Sequence, residues 1–205
     1  MKKYLFLALF LWMAASTAFA ATTEGRQDLL PQGSAAPDFH LTDVRTHQSV
    51  GLSDFSSKKI LVVIFMCRHC PYVQHVKKAL AALGREYAGK DAAFVGISAN
   101  DPAAYPEDAP ASLAEMAKEE DFNFPLLFDE TQATAHAYTA VATPDVFIFD
   151  GARKLVYRGQ FDDTRPGGDE PATGKDVRAA LDDLLAGRPV QAKQKPAVGC
   201  SIKWK

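Results

Sequence analysis

The chain has 205 residues and a formal net charge of −2, from 23 basic and 25 acidic side chains that form no long run of either sign. That balance excludes nucleic acid and anionic membrane surfaces as partners drawn by charge, and the length is that of about one domain, long enough for a core of its own. Three cysteines are an odd number and too few for a disulfide scaffold.

The first element is an export signal. Lys2 and Lys3 form the charged end, residues 4–15 are an unbroken apolar run, and Ala18-Phe19-Ala20 presents small residues for cleavage after Ala20. The run is shorter than the ~20 residues a spanning helix needs, and no cysteine follows the cleavage point to carry a lipid. The expected product is periplasmic or secreted, without stable membrane insertion, in a compartment that permits disulfides. The expected organisation is signal 1–20, a flexible lead-in 21–37, one domain 38–188 and a tail 189–205.

Within the domain, "DFHLTD" and "SVGL" predict two short strands around a polar turn. Residues 60–66 are a continuous β-branched and apolar run, the pattern of a strand buried on both faces. After Pro71 the apolar positions fall at helical spacing, with Val73, Val76, Leu80, Leu83 and Tyr87 on one face. "AAFVGISA" predicts the next strand, and "NDPAAYPEDAP", with three prolines, a loop. Ser112 and Glu115 have the spacing of a capping box that would open a helix through Asp121. "PLLFD" reads as a strand and "ETQATAHAY" as a short helix. "PDVFIFD" and "RKLVYRG", joined at Asp150-Gly151, predict an antiparallel hairpin. Thr173 and Asp176 are placed to cap a last helix, which Gly187 and Pro189 end. The order predicts an α/β domain: a mixed central sheet with helices on both faces and an extra N-terminal β-hairpin.

The chemistry lies in "MCRHCPYV", where the buried strand runs into Cys67 and Cys70. A thiol where a strand meets a helix faces unpaired N–H groups and the positive end of the helix dipole, which favour thiolate. Three-residue spacing lets the second sulfur close a disulfide with the first, and Pro71 suits a first helical turn. Arg68 and His69 can each place positive charge near Cys67. A fall in its pKa from ~8.5 to ~5.5 would raise the potential by roughly 45 mV, too little to separate a reductant from an oxidant. Three other readings compete. A structural disulfide closing so small a loop adds little stability. A zinc half-site lacks a second ordered ligand pair, although His69, His75 and Cys200 are available. A c-type haem needs a histidine where Pro71 stands. The motif calls for no cofactor and no resident metal, and a C-x-x-C beside a βαβ pattern favours redox chemistry.

"APDFHLTD", "GLSDFSSKKILVVIFMC", "CRHCPYV", "TPDVFIFD", "YRGQFDD" and "GCSIKWK" together resemble the thioredoxin-like redoxin superfamily, and within it the peroxiredoxin-like, AhpC/TSA-related proteins with a C-x-H-C-P-Y-V motif. The resemblance covers residues 38–187 and the tail. It implies a thioredoxin-like fold, Cys67 as attacking thiol, Cys70 as resolving thiol, and Thr143-Pro144 as a cis-proline site offering backbone to an extended substrate. Arg68 replaces a usual asparagine. The buried carboxylate that thioredoxins carry before the pair is absent from residues 60–66; Asn100, Asp101, Asp162 and Asp163 are candidates to replace it.

Three functions follow from this reading. The first is a thiol-disulfide oxidoreductase acting on protein thiols or disulfides with an unknown redox partner. The second is a peroxiredoxin-like hydroperoxide reductase with Cys67 as peroxidatic thiol. Its site normally reads P-x-x-x-T/S-x-x-C, and Ile60 and Ile64 occupy the proline and hydroxyl positions here. The third is a metal-binding or copper-delivery protein using Cys67, Cys70 and a histidine. Cys200, in the tail, is expected to be dispensable for basic exchange, and to become a relay only if Ile202 and Trp204 dock the tail near the pair.

Overall fold

The computed structural model describes residues 29–192 and 194–205. Residues 1–20, expected to be an export signal, and residues 21–28 of the lead-in lie outside the described residues.

Strands β1 (His40–Asp43) and β2 (Ser49–Gly51) form the expected antiparallel hairpin. Its turn is held by the buried Asp43, whose Oδ1 accepts from Arg45 N and Thr46 N. Then come β3 (Ile60–Phe65), α1 (Pro71–Tyr87), β4 (Ala92–Ser98), α2 (Pro110–Glu119), β5 (Leu126–Phe128) and α3 (Ala133–Ala137). The chain closes with β6 (Ala142–Thr143), β7 (Asp145–Phe149), β8 (Leu155–Gly159), α4 (Lys175–Leu185) and β9 (Cys200–Ser201). Seven strands make one mixed sheet in the order β2-β1-β5-β4-β3-β7-β8, and β6 pairs separately with β9. The β3/β4 and β4/β5 pairs are parallel, as crossover helices require; β3/β7 and β7/β8 are antiparallel.

The central strand shows why the sequence reads as it does. Successive side chains point to opposite faces. Ile60, Val62 and Ile64 enter a core with Val76 and Leu80 of α1, Leu113 of α2 and Leu181 of α4. Leu61, Val63 and Phe65 enter a second core with Phe147, Tyr138 and Ala135 of α3. Each such apolar side chain contributes roughly 1.5–3 kcal/mol on burial, so both faces must be covered, and a run without alternation results.

Both proposed caps are replaced. Helix α2 starts at Pro110 rather than Ser112 and ends at Glu119. Proline at the first helical position has the right φ and no N–H to satisfy, and Glu115 is drawn instead to Arg68. Helix α4 starts behind Gly174, whose φ of 70° places it in the left-handed region. Thr173 N and Gly174 N donate to Asp162 Oδ2, while Asp176 accepts from Gln160. Gly187, at φ 69°, ends α4 as expected. The described part of the lead-in is tied down rather than loose: Gly33 N donates to Leu155 O, Ala36 N to Arg153 O, and Ala35 bridges Lys154, so the edge of β8 is covered. Among the described residues no helix is long and apolar enough to cross a membrane.

Candidate active site

Parallel pairing of β3 with β4 brings their C-terminal ends to one edge of the sheet, Phe65 beside Ile97. Cys67 and Cys70 follow β3 there, and the proline-rich loop after β4 folds over them. The Thr143-Pro144 bond is cis, and Thr143 meets both sulfurs: its Oγ1 lies 3.2 Å from Cys67 Sγ, and its carbonyl accepts from Cys70 Sγ at 3.1 Å. The predicted cysteine pair and the predicted proline site are therefore one site.

The pair does not sit as expected. The sequence puts Cys67 at the helix start, yet α1 begins at Pro71 with Cys70 as the residue before it, and both cysteines are fully buried. The charge preference moves accordingly. Cys70 is pulled below the ordinary thiol range by the hydrogen bond from Cys67, against the cost of burial, with further help from Cys200 and from the N–H of Val73. Cys67 is pushed up by donating to Cys70, by burial and by the negative charge of Asp108. The helix N-terminus favours thiolate, as the sequence implied, but the sulfur that occupies it is Cys70.

Asp108 organises the turn between the cysteines. Its Oδ1 accepts from Arg68 N at 2.7 Å and His69 N at 3.0 Å; its Oδ2 meets Asn100 Nδ2 at 2.7 Å and His69 Nδ1 at 2.5 Å. It is fully buried, and sequence reasoning missed it. The available signal was its loop, which leaves β4 at the edge where Cys67 emerges. His69 stacks on Tyr105 with ring centroids 4.6 Å apart. The Arg68 guanidinium, expected to place its charge near Cys67, lies elsewhere. It turns to α2, bonding Ser112 O, Glu115 and Glu119, because that helix offers two carboxylates.

The remaining candidates divide. Asn100 belongs to the site through Asp108. Asp101 caps its own loop at Ala103 N. Asp162 holds the Thr164 and Gly174 backbone, and Asp163 pairs with Lys175, so neither fills the role of the missing carboxylate. His75 bonds Thr164 rather than a cysteine. Cys67, His69 and Asp108 present ligand atoms within 4.8 Å of one another. A metal bound there through one Asp108 oxygen would have to displace a donor, because each oxygen already accepts two.

The tail completes the site. Strand β9 pairs with β6, setting Cys200 opposite Thr143, and Cys200 Sγ lies 2.9 Å from Cys70 Sγ. Ile202 is buried in the second core and Trp204 stacks on His136, the docking residues the sequence pointed to.

The AhpC/TSA family model matches residues 32–158, which take in the cysteine turn, the Asp108 loop and Pro144. The chain belongs to the AhpC/TSA family. No curated protein matches it. Among solved structures, this AhpC/TSA protein is similar to an uncharacterized conserved protein from Geobacillus kaustophilus, at 50% identity over 87% of this chain and 94% of the other, with a TM-score of 0.84. A hypothetical protein from Sinorhizobium meliloti 1021 shares 40% identity over 87% and 97% of the two chains, with a TM-score of 0.84. A putative thiol:disulfide interchange protein DsbE from Chlorobium tepidum shares 21% identity over 76% and 99%, with a TM-score of 0.60. The last likeness is one of fold, and the fold is thioredoxin-like.

Proposed function

We propose that the protein is a thiol-disulfide oxidoreductase whose Cys67 and Cys70 cycle between dithiol and disulfide while exchanging with protein thiols or disulfides. The observation that carries this reading is the double contact of Thr143, which touches both sulfurs and so makes the pair and the Pro144 loop one reacting centre. A thiol held as thiolate at a helix start, beside a second thiol, is the arrangement disulfide exchange requires. Lys2, Lys3 and Ala18-Phe19-Ala20 support action outside the cytoplasm, where such partners meet an oxidising poise. Turnover of a protein disulfide substrate tests the reading. In a Cys200→Ser background, where only the pair can react, Cys67→Ser and Cys70→Ser should each abolish it; either variant retaining the turnover of that background would contradict it.

Hydroperoxide reduction at Cys67 is the second reading, and Thr143 is the observation that favours it. Ile60 and Ile64, where the peroxidase motif needs its proline and hydroxyl, are buried in the core. Thr143 Oγ1, 3.2 Å from Cys67 Sγ, returns a hydroxyl to that sulfur from another strand. Trapping of a Cys67 sulfenic acid in Cys70→Ser under stoichiometric peroxide, at a rate above that of disulfide exchange, would favour this second activity.

A further inference from the structure

The tail is built into the groove beside Pro144 and does not merely lie across it. Cys200 and Ser201 pair with Thr143 and Ala142, the backbone an extended substrate would use. Two glycines make the approach possible. A Cβ on Gly199 would stand 2.0 Å from Thr143 O, and one on Gly159 would stand 2.1 Å from Lys195 O. Beyond the strand, Lys203 N donates to Asn100 Oδ1 at 2.8 Å, Gln132 Nε2 donates to Lys203 O at 2.9 Å, and Lys205 N donates to Gln132 Oε1 at 2.9 Å. Asn100 also bonds Asp108, so the tail and the cysteine turn share an anchor. Of the three thiols, Cys67 and Cys70 are fully buried, and Cys200 alone is partly exposed.

We propose that the tail is a tethered pseudo-substrate and that Cys200 is a third redox thiol, carrying disulfide exchange between the buried pair and outside partners through Cys70. The proposal rests on the redox reading of Cys67 and Cys70. In the oxidised protein the Cys200 thiolate attacks the Cys70 sulfur of the Cys67–Cys70 disulfide. The Cys70–Cys200 bond forms, the Cys67–Cys70 bond breaks, and Cys67 leaves as thiolate and takes up the proton that Cys200 gave up. No electrons enter or leave in this step. A partner protein dithiol then attacks Cys200; its second thiol closes the partner's own disulfide, and Cys70 and Cys200 are released reduced. The same steps run backwards when the partner brings a disulfide.

Distance and tethering favour the exchange. The sulfurs at 2.9 Å must close by less than 1 Å to reach the bond length of about 2.05 Å. A tethered thiol also acts at an effective concentration of order millimolar, above that of a dilute partner. Burial and the hydrogen bond to Cys70 push the Cys200 thiol up in the reduced protein. The second cause vanishes once Cys70 is held in a disulfide, which eases Cys200 toward thiolate at the stage where it attacks, against burial, the larger cause, which stays.

The test compares wild type, Cys67→Ser and Cys200→Ser, each full-length, oxidised with glutathione disulfide, acid-quenched, alkylated and mapped by peptide mass. Cys67→Ser should yield an intramolecular Cys70–Cys200 disulfide, and wild type a mixture of Cys67–Cys70 and Cys70–Cys200 disulfides. Cys200→Ser should still form Cys67–Cys70, yet pass it to a protein dithiol about 10-fold or more slowly, because the tethered thiol is gone. Glutathione captured on Cys70 of Cys67→Ser, with Cys200 left free, would overturn the proposal. So would wild-type transfer by Cys200→Ser. Failure of the underlying reading looks different: neither wild type nor Cys200→Ser would then form a Cys67–Cys70 disulfide.

Discussion

Asp108 and Asp145 are two buried aspartates, one in the loop under the cysteine turn and one at the start of β7 directly after Pro144, and they are satisfied in opposite ways. Asp145 meets a fixed charge: Arg158 Nη2 lies 3.0 Å from its Oδ2, and that guanidinium also bonds Thr139 and lies over the Phe147 ring. Burial pushes the Asp145 carboxyl up, and Arg158 opposes it. Asp108 has no such partner. It gathers two backbone N–H groups, an asparagine amide and the imidazole of His69, an ionisable group that is partly open to solvent. A carboxylate closed by a guanidinium is a fixture of the scaffold. One closed by neutral donors and a histidine, next to Cys67, can respond when protons and electrons move.

The strongest way to break this contrast is Asp145→Ala. It leaves the Arg158 guanidinium buried and unpaired, and urea unfolding should show a loss of about 3–5 kcal/mol. A loss below about 1 kcal/mol would mean that Asp145 is no fixture. Asp108→Asn should cost less, about 1–3 kcal/mol, through imperfectly met hydrogen bonds, but it should do what the first variant does not. Hydrogen bonding to Cys70 and burial raise the Cys67 thiol, and the Asp108 charge adds to them. Removing that charge should move the pH profile of Cys67 alkylation to lower pH. An unchanged profile would reduce Asp108 to a second scaffold fixture.

Arg68→Ala sharpens the comparison from outside the site. With its guanidinium on Glu115 and Glu119, stability should change by less than about 1 kcal/mol, and the thiol titrations should not move. A shifted cysteine profile would restore Arg68 as a modulator. The smallest expected effect is in acid. Burial works against ionised Asp162, but bonds from Thr164, Gly174 and Thr173 outweigh it and hold the carboxyl below the usual range. Its contribution is present above the unfolded value of about 3.9 and is lost as pH falls through the lower folded value. Asp162→Asn should flatten that part of a stability-against-pH curve measured by urea unfolding, and an unaltered acid limb would count against the assignment.

What could be read from the chain alone follows the range of the interactions. Residues 60–65 declared themselves as an unbroken apolar run because both faces of β3 are buried, the α1 face because its burial repeats with the helical period, and Cys67, Cys70, Thr143 and Pro144 because short motifs carry them. The caps misled because Pro110 starts its helix two residues before Ser112, and Gly174 sets the start of the other one residue after Thr173, so neither polar pair that imitates a start sits at one. Asp108 carries no period and no motif; its burial exists only once its loop folds onto the cysteine turn. The tail was legible as a docking segment through Ile202 and Trp204. Its register was not, since that depends on Gly199 clearing Thr143 and Gly159 clearing Lys195, contacts between segments far apart in sequence.

The reduction potential of the Cys67–Cys70 couple tests the central claim most directly, with Cys200→Ser used so that a single disulfide is titrated against glutathione. The account predicts a reversible couple between about −120 and −270 mV, the range of exchange-active dithiols. A potential below about −300 mV, the mark of a structural disulfide, or no Cys67–Cys70 disulfide at any poise, would contradict it.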